Sequence, residues 1–308
     1  MRALRYELDT GIGLAAVPVP PCELACDESG ERIGGPMARR VAMLNNKGGV
    51  GKSGTTIRLA EGLAKAGKRV FVVDMDPQGN SSQMLGWRYD PKLKQPTISQ
   101  AIKANTGEDE APGCARDVFQ PIAWNCSYAE RISIAPARLP LENRMSEAGI
   151  GGAWRRLDQA LEGADDHVDY TLIDCPPSLF HLTQLGLAAA HDAVIVTDAD
   201  FYAIEGAQRA RDFIRNKAAK DLGNPGLELR GVILNKYKDT VRQSEQRDSI
   251  RQIFGPLVWD PTVKFIESLA TSNNNGVSLE ESKGDRLSEI RATYELLTQT
   301  FLKEIPLS

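Results

Sequence analysis

Short apolar runs recur along the chain and alternate with segments of helical periodicity. The runs lie at residues 41–44, 69–73, 132–134, 170–173, 193–197 and 231–234. Continuous apolar runs of this length are typical of parallel strands that are buried on both faces. Helical spacing appears at 55–65, 139–147, 153–161 and 290–302. This alternation predicts an α/β fold, a mostly parallel, twisted sheet with helices on both faces.

A glycine-rich segment separates the first predicted strand from the first predicted helix. It runs from Asn46 to Ser53 as Asn-Lys-Gly-Gly-Val-Gly-Lys-Ser, and we call it the phosphate-binding loop (residues 46–53). A glycine-rich turn that opens a helix gathers backbone N–H groups at one point, which suits a polyphosphate. The pattern predicts that Lys52 contacts the β- and γ-phosphates and that the Ser53 hydroxyl ligates Mg²⁺. Asn46 stands where the common loop pattern has glycine, and Lys47 is an additional lysine too early for either task.

Acidic residues follow two of the predicted strands. Asp74 and Asp76 come after the run at 69–73, and Asp174 ends the run at 170–173. Open α/β sheets bind ligands at the carboxyl ends of their strands. The predicted strand at 170–173 has the form of a Walker B strand. This form predicts that Asp174 holds the water shell of Mg²⁺ opposite Ser53.

The last apolar run ends in Asn-Lys-Tyr-Lys at 235–238. GTPases have an aspartate at the fourth position of this pattern, and it accepts hydrogen bonds from guanine. Lys238 has no acceptor lone pair, so guanine is disfavoured. We therefore predict an adenine nucleotide, with Asn235 as the contact to the base.

Three motifs in this order resemble the ParA/MinD family of ATPases. The loop is similar to the family's deviant Walker A motif K-G-G-x-G-K-[ST], and Asp-Met-Asp-Pro-Gln-Gly-Asn at 74–80 and Ile-Asp-Cys-Pro-Pro at 173–177 are similar to its two switch regions. The resemblance implies a P-loop NTPase fold over residues 40–304 and makes Lys47 the signature lysine, which reaches the partner's nucleotide across a dimer interface. It also implies that Asp76 positions the attacking water and supports the Mg²⁺ shell. The catalytic residues implied are Lys47, Lys52 and Asp76, the nucleotide-binding residues Gly48, Gly49, Val50, Gly51, Lys52, Ser53, Gly54 and Asn235, and the metal-site residues Ser53, Asp76 and Asp174.

The function that this resemblance implies is that of a ParA-type partition ATPase. Such a protein uses ATP and Mg²⁺, forms a homodimer in ATP, binds DNA nonspecifically, is stimulated by a ParB-like partner, and is cytoplasmic and nucleoid-associated. The alternative is a MinD-like or other ParA-like positioning ATPase that acts on a membrane or a protein cargo. MinD proteins end in a basic amphipathic helix, whereas residues 301–308 hold one lysine, one glutamate and a proline, so we expect no membrane partner. A metabolic enzyme or an iron–sulfur reductase would require a substrate pocket or paired cysteines, which the sequence does not indicate.

Charge and composition narrow this interpretation. With 37 basic and 41 acidic residues the net charge is -4, so DNA binding requires a local basic patch. The predicted helix after residue 200 carries Arg211 and Arg215 four residues apart, on one face, and this face either contacts phosphates or is simply solvated. Five scattered cysteines make no disulfide framework, which favours the cytoplasm.

The first 36 residues differ from the rest of the chain. Glycine and proline punctuate them, and no period is sustained, so we predict a flexible tail at 1–36 and an ATPase domain at 37–308. Met37 precedes the first strand directly and is our candidate for the biological start. We also predict a mobile polar loop at 105–113.

Overall fold

The computed structural model describes residues 38–93, 95–103 and 114–307. The predicted tail at 1–36, Met37 and the predicted loop at 105–113 lie outside the described residues.

One eight-stranded sheet runs through the described residues, in the order β3-β4-β2-β5-β1-β6-β7-β8. Neighbouring strands are parallel except for the short β3, which is antiparallel to β4. The strands are β1 Arg39–Leu44, β2 Val70–Asp74, β3 Gln120–Pro121, β4 Ile132–Ala135, β5 Tyr170–Asp174, β6 Asp192–Asp198, β7 Glu228–Asn235 and β8 Val258–Trp259. Every predicted strand is present, and the mostly parallel α/β fold is confirmed.

Helices cover both faces of this sheet. They are α1 Lys52–Lys65, α2 Asn80–Met84, α3 Ile98–Ala101, α4 Arg156–Leu161, α5 His181–Ala189, α6 Phe201–Asp221, α7 Val241–Phe254, α8 Glu267–Asn275 and α9 Leu287–Glu304. Apolar residues of α1, α8 and α9 share one core cluster, whereas those of α4, α5, α6 and α7 share the other. Strand β1 contributes to both, because Val41 and Met43 face the first cluster while Ala42 and Leu44 face the second. This two-sided burial explains why the strand sequences are apolar without alternation.

Helix α9 packs against the core through its apolar face. Ile290, Leu297 and Phe301 are fully buried, and Tyr294 is nearly so. The helical spacing at 290–302 therefore reflects packing. Among the described residues, no helix is both long and apolar enough to cross a membrane.

The segment between β4 and α4 differs from the prediction. Residues Leu139–Gly149 form a 3₁₀ helix, and a 3₁₀ turn at Ala153–Arg155 precedes α4. Only Leu141 is buried in the longer segment. Since most stabilisation of a helix comes from burying an apolar face, this segment has little to hold it in the α form.

Candidate functional site

The phosphate-binding loop joins β1 to α1 in the middle of the sheet. Gly49 and Gly51 have left-handed backbones, with φ of 79° and 90°, which favours glycine. Gly51 is also confined, because a Cβ at this position would come within 2.2 Å of the Asn235 amide nitrogen. Gly48 faces Pro177 in the turn after β5, and Gly54 lies in the first turn of α1 against Asn273. The sequence thus folds into a tight turn that opens a helix, as predicted.

Lys52 lies inside this turn. Its side chain is buried, and Nζ donates a hydrogen bond to the Lys47 carbonyl oxygen at 3.2 Å. Burial lowers the pKa of Lys52, while the nearby Asp174 and Asp76 carboxylates oppose that shift. The structure therefore brings Lys52, Asp76 and Asp174 into one electrostatic cluster.

Two buried carboxyl groups sit side by side beneath the loop. Asp74 and Asp174 are partners in the β2–β5 ladder and are fully buried. Ser82 donates from its backbone N–H and its hydroxyl to Asp74, and the Ser81 hydroxyl donates to Asp174 at 2.7 Å. Burial raises the pKa of each group, and the Asp174 charge raises the pKa of Asp74 further. Such a pair disfavours two full charges unless a cation joins it.

The acidic end of β5 fits a magnesium ion. Oδ1 of Asp174 is buried and has no hydrogen-bond partner within the described part of the chain. The Ser53 hydroxyl lies close enough to lower the pKa of Asp174, and hydroxyl and carboxylate oxygens are ligands that Mg²⁺ prefers. Ser53 and Asp174 would hold Mg²⁺, which would neutralise phosphate charge.

Asp76 lies two residues beyond the end of β2. Its Oδ1 accepts a hydrogen bond from the Gln78 backbone N–H at 3.0 Å, and the residue is 8% exposed. Its predicted role in positioning water stays a prediction.

Lys47 is held apart from Lys52. Its Nζ forms an ion pair with Oδ1 of Asp200 at 2.7 Å, and Asp200 also caps α6 by accepting from the Tyr202 backbone N–H at 3.1 Å. Asp198 adds a second carboxyl group near this lysine: burial raises its pKa, and the Lys47 charge opposes that shift. Sequence reasoning missed Asp200, although an aspartate just before a helix is a typical N-cap.

Asn235 fastens the end of β7 to the loop. Its Nδ2 donates to the carbonyl oxygens of Val50 and Gly51 at 3.3 and 3.4 Å and to the Thr55 hydroxyl at 3.1 Å. Contact between Asn235 and a base stays a prediction. The neighbouring Lys236, which the sequence did not single out, donates from Nζ to the Gly49 carbonyl oxygen at 2.7 Å.

The predicted basic face on α6 is only partly free. Arg211 pairs with Asp212 and stacks over the Phe254 ring, with its guanidinium carbon 5.3 Å from the ring centroid. Arg215 is exposed. Arg211 therefore serves packing between α6 and α7, which corrects the expectation of a free arginine pair.

Comparisons with known proteins show the family of this chain. The family model described as an AAA domain matches residues 38–228. The chain is 34% identical over 239 residues to the chromosome partitioning protein ParA of Caulobacter vibrioides, covering 73% of this chain and 80% of that protein.

Solved structures show the same fold. The ATP complex of a McdA variant from Cyanothece superposes with a TM-score of 0.72 at 19% identity, covering 89% of this chain and 98% of that one. Cobyrinic acid a,c-diamide synthase from Mycobacterium smegmatis, with bound ADP and magnesium, gives a TM-score of 0.62 at 27% identity, covering 77% of this chain and 91% of that one. The likeness to McdA concerns the fold alone. Because the family model matches more than half of the chain and ParA aligns over most of its own length, this chain belongs to the ParA/MinD family of P-loop ATPases.

Proposed function

We propose that this protein is a ParA-type partition ATPase that forms a sandwich dimer around ATP and Mg²⁺. The observation that carries the proposal is the position of Lys47. Its ammonium group pairs with Asp200 instead of entering the loop that Lys52 occupies, and the Lys47 side chain is 31% exposed. A lysine that its own loop does not use is available to a second subunit.

Exposed aromatic side chains support a face-to-face dimer. Phe180, Phe201 and Tyr202 are 69%, 60% and 68% exposed. Phe180 follows β5 and the other two follow β6, and these strands flank β1 in the sheet. All three therefore surround the edge that carries the loop. Large apolar groups exposed together favour a protein interface.

The chemistry of such a site consists mainly of positioning and charge neutralisation. Lys52 and the loop amides would hold the phosphates, Ser53 and Asp174 would hold Mg²⁺, and Asp76 would orient the attacking water. The partner's Lys47 would complete the positive charge around the transferred group. We therefore expect slow hydrolysis by the monomer.

Nonspecific DNA binding and a ParB-like stimulating partner complete the proposal, together with a cytoplasmic, nucleoid-associated location. On a chain of net charge -4, binding depends on local patches, and exposed residues such as Arg215, Lys217 and Lys220 on α6 are candidates. Two weak patches joined in a dimer bind far more tightly than one.

Sedimentation velocity with DNA retention tests this proposal. The wild-type protein is compared in Mg·ATP, in Mg·ADP and in ATP with a chelator, with DNA binding measured at low and moderate salt. We expect dimers and DNA retention in Mg·ATP only, with retention falling as salt rises. A monomer in all three conditions would contradict the proposal, and so would DNA binding that is the same in all three.

A further inference from the structure

Lys236 occupies a strained backbone position beside the phosphate-binding loop. It follows β7 directly and has a φ of 53°, and Arg286 is the other non-glycine residue with positive φ in the described ranges. The left-handed conformation is costly for a side chain with a Cβ. Oδ1 of Asn235 accepts a hydrogen bond from the Lys236 backbone N–H at 2.7 Å, which holds the turn in place. Backbone strain that neighbouring hydrogen bonds maintain is typical of functional positions.

The left-handed turn directs the Lys236 side chain onto the loop. The bond from Nζ to the Gly49 carbonyl oxygen is 2.7 Å long, whereas the two bonds from Asn235 to the next two carbonyls are 3.3 and 3.4 Å. Hydrogen bonds from charged donors are shorter and stronger than neutral ones. Of the three hydrogen bonds from Asn235 and Lys236 to carbonyl oxygens of the loop, the one from Lys236 is therefore the strongest.

Fixing the Gly49 carbonyl also fixes the amide that follows it. In a trans peptide group the carbonyl of one residue and the N–H of the next point in opposite directions. When the Gly49 oxygen is held toward Lys236, the Val50 N–H is therefore directed to the opposite side, into the loop. This peptide group joins Gly49 to Val50, and on its Gly49 side it is exposed and has no side chain to resist its rotation. A flipped peptide would present an oxygen to a phosphate and repel it.

We infer that Lys236 is a positioning residue that keeps the Val50 amide directed at the nucleotide phosphates. This inference rests on the proposed nucleotide site and adds a residue that reaches the phosphates only through the loop backbone. Because loop amides of this kind contact the phosphates that ADP and ATP share, Lys236 affects both nucleotides alike.

The test compares ADP and ATP affinities of Lys236→Met, Lys236→Gly and Lys236→Arg by calorimetry with Mg²⁺. The first two variants should bind both nucleotides about ten- to a hundredfold more weakly, the range expected for one lost hydrogen bond from a charged donor. Lys236→Arg should recover most of the affinity. The loss should persist at raised salt, because screening weakens long-range attraction to the phosphates but not the orientation of a peptide group.

Thermal melting separates positioning from general destabilisation. Lys236→Gly relieves the left-handed strain, so its melting temperature without nucleotide should equal or exceed that of the wild type while its affinity falls. Arg286→Gly is the matched control, since it removes the other left-handed basic residue and should leave affinity unchanged. Wild-type affinity in Lys236→Met and Lys236→Gly, or an equal loss in Arg286→Gly, would overturn the inference. Absence of ADP and ATP binding by the wild type would instead contradict the proposed site.

Discussion

Asp200→Asn tests whether Lys47 must break its ion pair with Asp200 in the same subunit before two subunits can associate. Asp200 has two tasks, since the same oxygen pairs with Lys47 and caps α6. The pairing also lowers the pKa of Asp200, chiefly through the hydrogen bond from Lys47. Asparagine caps helices as well as aspartate does. The substitution therefore removes the ion pair and preserves the helix.

The size of the effect follows from the exposure of the pair. The Lys47 and Asp200 side chains are 31% and 37% exposed, and a pair in such surroundings contributes about 0.2–1 kcal/mol. Each dimer would break two such pairs, one in each subunit. The substitution should then favour association by about 0.4–2 kcal/mol, which makes the dimer about two- to thirtyfold tighter.

The assay is sedimentation equilibrium with a nonhydrolysable ATP analogue and Mg²⁺. Glu205→Gln is the matched control, because Glu205 lies on the same helix and pairs with Arg209 instead of Lys47. In a Lys47→Ala background, Asp200→Asn should restore no dimer, because its effect acts through Lys47. A weaker dimer in Asp200→Asn alone would refute the reasoning, since it would mean that Asp200 supports Lys47 within the dimer.

Three further predictions concern the loop and the carboxyl groups beneath it. Lys52→Ala should abolish nucleotide binding or hydrolysis, and unchanged ATP turnover would exclude the site. Asp76→Ala should trap an ATP-bound dimer, because the binding groups remain while the water loses its positioner; a monomer in ATP by light scattering would count against this role. Burial and Asp174 raise the pKa of Asp74, so its contribution to the stability of the metal-free protein is complete below about pH 4 and is lost as pH rises through the raised value. The melting temperature of Asp74→Asn should therefore fall less steeply between about pH 5 and about pH 8 than that of the wild type. Parallel curves of melting temperature against pH for the two proteins would contradict the prediction.

The sequence contained enough to predict the sheet and the loop because their signals are local. Each buried strand is a continuous apolar run. The glycines at 49 and 51 indicate a turn whose left-handed backbone is unfavourable for residues with a side chain. The acids after β2 and β5 could be placed together because parallel strands end at one edge of a sheet.

Contacts between distant segments could not be predicted in this way. Lys47 and Asp200 are 153 residues apart, and Lys236 reaches Gly49 across 187. Spacing carries no information about such pairs until the sheet order is known. The same limit applies to Arg211. Helical periodicity predicts that it lies on a free face, whereas in the structure it packs over the Phe254 ring.

Lys47→Ala tests the central claim, an ATP sandwich dimer, most directly. The measurement is ATP affinity, sedimentation and DNA retention for the wild type and the variant, in Mg·ATP at low and moderate salt. We expect the variant monomer to bind ATP almost as the wild type does, because Lys52, Ser53 and the loop amides remain, but to form no dimer and to retain no DNA. A variant that dimerises and retains DNA as the wild type does would contradict the claim.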